Sequence, residues 1–291
     1  MLSILIPTYN FDVSELVENI HSQLLANGIL FEIIIFEDGS TLLINKINNL
    51  SNVTVFINDE NIGRVKARQF LAKRAKYDWL LFLDADVIPK RDNFILNYIN
   101  STSSNYEAIF GGFAYHKIKP KSDYLLRWKY GKKQEEVSAY KRNKTPYKII
   151  ISANYIVKKS VFEAINSKMS NKGYGYDNFY GALLKQYKIK VLHINNEVYH
   201  LGIEKSSDYL LKKEQAAETL LKLFEAGRIK THNNALLKLF SNLKNYNLTP
   251  FFSELYKSFG DLMKRNLTAS HPSIKILQLY RICYMCYKYR N

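Results

Sequence analysis

Asp84 and Asp86 are separated by a single alanine and follow the apolar run Trp79–Leu83. On a strand, residues i and i+2 project to the same side, so both carboxylates face one way at the end of a buried segment. Two like charges so placed repel unless a cation or a donor sits between them. A hard divalent cation that also bridges phosphate oxygens meets that need, because Mg2+ takes one or two carboxylates together with substrate phosphates. The bland alternative is a solvated turn with two surface acids. The apolar residues before the pair, and Val87-Ile88-Pro89 after it, weigh against that alternative. Two further polar clusters close apolar runs. Thr8-Tyr9-Asn10 follows Leu2–Ile6 and Pro7, and Glu37-Asp38-Gly39-Ser40 follows Phe31–Phe36.

The elements that must position these groups are legible in the pattern. Leu2–Ile6, Phe31–Phe36, Val53–Ile57 and Trp79–Leu83 are short continuous apolar runs, expected as buried strands. Between them, Asp12-Val13-Ser14-Glu15 has the form of a carboxylate N-cap. Val13, Leu16, Val17, Ile20 and Leu24 then line one helix face up to Asn27-Gly28. Residues 64–76 form a second helix, with Ala67, Phe70, Leu71 and Ala75 inward. Such alternation predicts a mostly parallel sheet flanked by helices. Ligands of these sheets bind beyond the carboxyl ends of the strands, where all three polar clusters fall. Further on, 108–113, 149–152 and 191–194 read as strands, and 177–186 and 207–226 as helices. Past Gly227 the pattern is helical throughout: 233–245, a helix opened by Thr249-Pro250 and a last one opened by His271-Pro272.

Composition bounds the class. The chain has 291 residues, 47% hydrophobic and 23% charged, which excludes disorder. Two Cys cannot build a disulfide framework, so a reducing compartment is expected. Cys283-Tyr284-Met285-Cys286 has no second pair and no nearby His, and reads as an apolar helix face rather than a zinc site. No apolar run approaches the ~20 residues of a membrane span. Met1–Pro7 lacks a basic n-region, so no signal peptide is expected. The net charge of +16 is concentrated: residues 117–148 carry 11 Lys/Arg and 3 Asp/Glu, and 226–291 carry 11 and 2. Such patches suit nucleic acid, anionic lipid or a phosphorylated substrate. Ile274–Met285 is apolar nearly all round with Lys and Arg interspersed, which fits either a helix lying in a membrane interface or a packed helical contact.

The motifs in order resemble the family-2 glycosyltransferases with the nucleotide-binding GT-A fold. The stretches are Ser3–Asn10, Glu32–Ser40, Asn61–Arg68, Leu81–Pro89, Gly173–Asn178, and Val191-Leu192-His193 through Val198–Gly202, together covering about residues 1–225. The last two look most like bacterial members that build surface polysaccharides. The resemblance implies a GT-A catalytic domain over 1–226 with a basic helical extension over 227–291. Pro7, Thr8, Tyr9 and Asp38 would hold the base of a nucleotide sugar, uridine by family habit. Arg68 would sit near the diphosphate, with Ala85 between the two acids. Asp84 would approach the ribose or a metal-bound water, and Asp86 would ligate Mn2+ or Mg2+ directly, with His200 as a further ligand. The family usually has two aspartates where this chain has Glu37-Asp38, so only the second is carried over.

An inverting transfer needs a carboxylate to take the acceptor's proton. The family draws it from a Gly-rich turn followed by Glu-Asp. Here Gly173-Tyr174-Gly175-Tyr176-Asp177-Asn178 holds one acid. Asp177 is the expected base, with a plain helix cap as its alternative. Asn154 and Gly111-Gly112 would line the acceptor side, and the 117–148 patch, with Trp128, Tyr130 and Tyr140, would hold a lipid-diphosphate acceptor. The expected enzyme is an inverting, metal-dependent hexosyl- or N-acetylhexosaminyltransferase. It would use a saccharide or lipid-linked acceptor, in the cytoplasm or peripherally on the inner membrane face. A sugar nucleotidyltransferase is disfavoured because no Gly-rich phosphate loop appears before Asn61. A nucleic-acid-binding protein is disfavoured because residues outside the two basic segments are near neutral and carry no such signature.

Overall fold

A computed structural model describes residues 1–41, 47, 49–169, 173–229 and 232–291. In chain order the strands are β1 (Leu2–Thr8), β2 (Phe31–Asp38), β3 (Val53–Asn58), β4 (Trp79–Leu83), β5 (Val87–Pro89), β6 (Ala108–Phe110), β7 (Phe113–Ala114), β8 (Asn154–Lys158), β9 (Val191–His193) and β10 (Val198–His200). The helices are α1 (Ser14–Ala26), α2 (Arg64–Arg74), α3 (Phe94–Thr102), α4 (Leu125–Tyr130), α5 (Ala139–Asn143), α6 (Lys159–Asn166), α7 (Tyr176–Gln186), α8 (Ser206–Glu225), α9 (Ala235–Asn245), α10 (Thr249–Thr268) and α11 (Ile274–Arg290).

The apolar runs are strands because both of their faces are covered: β2 is buried at every residue and β1 at all but one. They assemble a seven-stranded sheet in the order β3-β2-β1-β4-β8-β6-β9, in which β8 alone runs antiparallel to its neighbours. A second, three-stranded sheet has the order β5-β10-β7. This is a mixed α/β fold with a mostly parallel sheet flanked by helices and a helical C-terminal region. The chain divides into two compact units. One comprises Met1–Ala114, Glu136–Lys172 and Tyr187–Gly202 and holds both sheets; the other comprises Tyr115–Glu135, Gly173–Gln186 and Ile203–Asn291 and is helical.

Three local expectations differ from the structure, each for a physical reason. Asp12 does not cap α1: Val13 holds the cap position, and Asp12 Oδ1 instead accepts from the N–H and hydroxyl of Ser14. Residues 149–152 are not a strand. Their backbone serves the site, Ser152 O accepting from Arg68, and pairing with β4 begins only at Asn154. The expected strand 108–113 breaks at Gly111-Gly112, where the chain leaves the large sheet for the small one. A Cβ at Gly111 would stand 2.3 Å from Asn196 O, and Arg142 donates to Phe110 O, Gly111 O and Ile194 O. For α11, left open between a membrane-interface helix and a packed contact, the structure shows packing. Leu277, Tyr280 and Ile282–Cys286 are buried, with Tyr280 and Tyr284 bonded to Glu214 and Glu218 of α8. Cys283 and Cys286 are buried free thiols pushed up by burial to about 11 and about 12. Among the described residues no helix is long and apolar enough to cross a membrane.

Candidate active site

The ends of β1, β2 and β4 open into one cavity of about 290 Å³. Pro7, Thr8, Tyr9, Asp38, Asn61, Gly63, Arg64, Ala67, Asp84 and Ala85 line it. Of the residues read as a nucleotide site, all but Arg68 and Asp86 stand on this lining. Thr8 is buried and donates to Phe11 O, whereas the Tyr9 ring is 53% exposed and available to a ligand face.

Asp38 is buried at the end of β2, its Oδ1 accepting from Ile62 N–H at 2.7 Å and its Oδ2 from Gly63 N–H at 2.9 Å. It thereby pins the turn that opens α2. Each carboxylate oxygen has a second lone pair, so the group retains acceptor capacity toward the cavity. Beside it, Glu37 is equally buried; burial pushes its carboxyl up, opposed by hydrogen bonds from Ser40.

Asp84 is held by two guanidinium groups. Arg64 Nη2 donates to Oδ2 at 2.6 Å and Arg68 Nη2 to Oδ1 at 2.8 Å. The same arginines grip Ser152, Arg64 through its hydroxyl and Arg68 through its carbonyl. Arg68 is buried beneath the cavity, with its guanidinium 5.8 Å from the Phe82 and Tyr155 ring centres. Arg64, not Arg68, lines the cavity, its side chain 42% exposed. The i, i+4 spacing of the two arginines on a helix is the signal that would have found Arg64.

Asp86 turns elsewhere. Its Oδ2 lies 3.4 Å from His200 Nε2 at the end of β10, where His200 meets the Phe113 ring edge-on. A Cβ at Gly202 would stand 2.2 Å from that same oxygen. Among the described residues no group of three or more His, Cys, Asp or Glu is placed to hold a metal. The Asp86 carboxylate nevertheless fits a hard cation whose remaining ligands come from a diphosphate, since Mg2+ is held by one or two carboxylates together with substrate phosphates, and the imidazole of His200 stands beside it as a further nitrogen donor. Asp84, with both oxygens committed to arginine, fits that role less well.

Asp177 belongs to the other unit, in the first turn of α7, where an acid is favoured by the helix dipole. In the preceding turn burial pushes the Tyr174 hydroxyl up. Asn154 is fully buried, bonded to Gly112 O, Asn196 O and the Tyr98 hydroxyl, so it and the two glycines contact protein rather than open space. His193 is likewise interior, between Pro146 O and Arg142. The 117–148 segment is not one solvated strip: Arg127 and Arg142 are buried.

A family model described as "Glycosyl transferase family 2" matches residues 3–165, more than half of the chain. An uncharacterized glycosyltransferase of Haemophilus influenzae is 35% identical over 124 residues, covering 41% of this chain and 39% of that protein. One from Mycoplasma genitalium is 27% identical over 215 residues, covering 69% of this chain and 66% of that protein. The matches thus span about two fifths and just under two thirds of these curated relatives. Among solved structures, a Pyrobaculum calidifontis mannosyltransferase in complex with GDP-Man and Mn2+ gives a TM-score of 0.52 at 13% identity, covering 79% of this chain and 65% of that one. Glucosyl-3-phosphoglycerate synthase of Mycobacterium tuberculosis, in complex with Mn2+, UDP and glucosyl-3-phosphoglycerate, gives 0.51 at 14% identity, covering 76% and 79%. At these identities the structural likeness establishes the fold.

Proposed function

The chain belongs to glycosyl transferase family 2, and from that premise we propose that it is an inverting, metal-dependent glycosyltransferase using a nucleotide-diphosphate sugar. The observation that carries this reading is the single cavity lined by residues from three neighbouring strand ends, with acids, an arginine and an exposed aromatic ring together.

In this mechanism Thr8, Tyr9 and Asp38 cradle the base, with Pro7 and Ala85 as walls. Arg64 and Arg68 supply positive potential toward the diphosphate and hold Asp84 on the ribose side. Asp86 and His200 would hold Mn2+ or Mg2+, which when bound neutralises charge on the departing diphosphate. Asp177 takes the acceptor hydroxyl's proton. The acceptor oxygen then bonds to the anomeric carbon from the face opposite the diphosphate, and the bond to the diphosphate oxygen breaks with inversion. The solved structures holding GDP-Man and UDP support the donor class, and the motifs of the Gly-rich turn and the 191–202 segment favour a role in bacterial surface-polysaccharide synthesis. The preferred donor is a UDP-linked hexose or N-acetylhexosamine, and the acceptor a saccharide or lipid-linked oligosaccharide at the cytoplasmic membrane face. Residues 1–226 would form the catalytic part and 227–291 a basic helical extension.

A thermal-shift panel of nucleoside diphosphates and their sugars, with and without Mn2+, tests the reading, because a ligand that binds only the folded state raises its melting temperature. A metal-dependent rise for a uridine donor, lost in Asp86→Asn, is expected. If no nucleotide shifts the melting temperature under either condition, the proposal fails.

A further inference from the structure

Helix α10, with its cap residue Leu248, carries one buried row and one exposed apolar row. Thr249, Ser253, Gly260, Met263 and Leu267 are buried. A second row, Leu248, Phe251, Phe259 and Leu262, falls at offsets of 3, 11 and 14 from its first member, which is one face of a 3.6-residue helix. Its members are 44%, 63%, 50% and 63% exposed. Four large apolar side chains left uncovered along one helix mark a contact surface.

Charge decides what covers it. Residues 226–291 hold 11 Lys/Arg against 2 Asp/Glu. Both acids, Glu254 and Asp261, lie on α10 beside Lys257, Lys264 and Arg265, and the rest of the basic excess includes the exposed Lys238 and Lys244 of α9 and Lys275 and Arg290 of α11. Arg265, three residues on from Leu262, stands at the rim of the row. A second copy of this chain would bring together two segments that each carry a net charge of +9. A nucleic acid answers the charge but not a face of Phe and Leu. An anionic bilayer answers both, and an amphipathic helix with a basic margin lies in its plane with the apolar row among the acyl chains.

We propose that α10, rather than α11, is the membrane-contacting element of this chain, seated on an anionic leaflet through Leu248, Phe251, Phe259 and Leu262. The proposal does not depend on the donor site, and its test reads lipid binding alone. The full chain is floated with vesicles of phosphatidylcholine and with vesicles in which about a third of the lipid is phosphatidylglycerol. Binding is expected to the second and only weakly to the first, and to decline as salt rises. The double variant Phe251→Ser/Leu262→Ser is expected to lower partitioning by about tenfold or more. Its melting temperature should be unchanged, since both side chains are exposed. Four results overturn the proposal: no binding to either vesicle, equal binding to both, unchanged binding by the double variant, or a lipid-free self-association or RNA shift that the double variant abolishes.

Discussion

Oδ2 of Asp86 occupies the space that a side chain at position 202 would need: a Cβ on Gly202 would lie 2.2 Å from it. His200 Nε2 is 3.4 Å from the same oxygen, so the carboxylate is enclosed by two residues of one segment. We expect Gly202→Ala to turn Asp86 off His200 and to reduce metal-dependent turnover by about 100-fold, as for a displaced catalytic group. Melting temperature without metal should change little, while the Mn2+-dependent rise should vanish. An Ala variant that keeps its Mn2+ response would show that this enclosure is dispensable.

The two arginines on Asp84 should separate cleanly. Arg68 is buried and its charge is balanced by Asp84 and Ser152 O, so Arg68→Ala leaves a half-buried carboxylate and a buried carbonyl short of a partner. A loss of about 3 kcal/mol is expected in denaturant unfolding. Arg64 is partly exposed on the cavity wall. Arg64→Ala is expected to weaken nucleoside diphosphate binding about tenfold in calorimetry, with a midpoint close to wild type. Reversed phenotypes would reassign the pair.

Asp177→Asn tests the proton acceptor. Removing a general base lowers turnover by about 10²–10⁴, and donor binding, measured by thermal shift, should be retained. Wild-type turnover in this variant would place the base on another group.

His193 gives a pH signature of the fold. Its Nε2 lies 2.8 Å from Pro146 O and its Nδ1 2.8 Å from Arg142 Nη1, an arrangement that needs the neutral ring with Nδ1 as acceptor. Burial holds its pKa down to about 4, against an ordinary 6.5. Between these values the unfolded chain binds the proton and the folded chain does not. Stability therefore falls as pH drops through 6.5 and levels off below about 4, by roughly 3 kcal/mol in all. His193→Gln should flatten that part of a denaturation-versus-pH curve; an unaltered slope would assign it to other groups.

The buried strands were legible because continuous apolar runs encode a covered sheet. The expectation that Asp84 and Asp86 face one way failed because both follow β4 rather than lie on it, and they turn to different partners, Asp84 to two arginines and Asp86 to His200. Strand β8 was misplaced by a few residues because Ile149–Ser152 has strand composition but lends the Ser152 carbonyl to Arg68, a tertiary demand that propensity does not carry. Arg64 was passed over for Arg68 because sequence places both on one helix face without telling which is buried. For 274–285 the sequence left a membrane-interface helix and a packed contact both open, because an all-round apolar helix with tyrosines is a core helix only once glutamates on α8 receive the hydroxyls.

The grip of Asp38 on the amides of Ile62 and Gly63 makes the floor of the cavity at the strand ends and the helix bearing both guanidiniums a single mechanical part. Substitution at that aspartate would therefore let the whole arginine-bearing rod drift. What looks in a kinetic assay like faulty base selection would have its origin in lost registration of a helix.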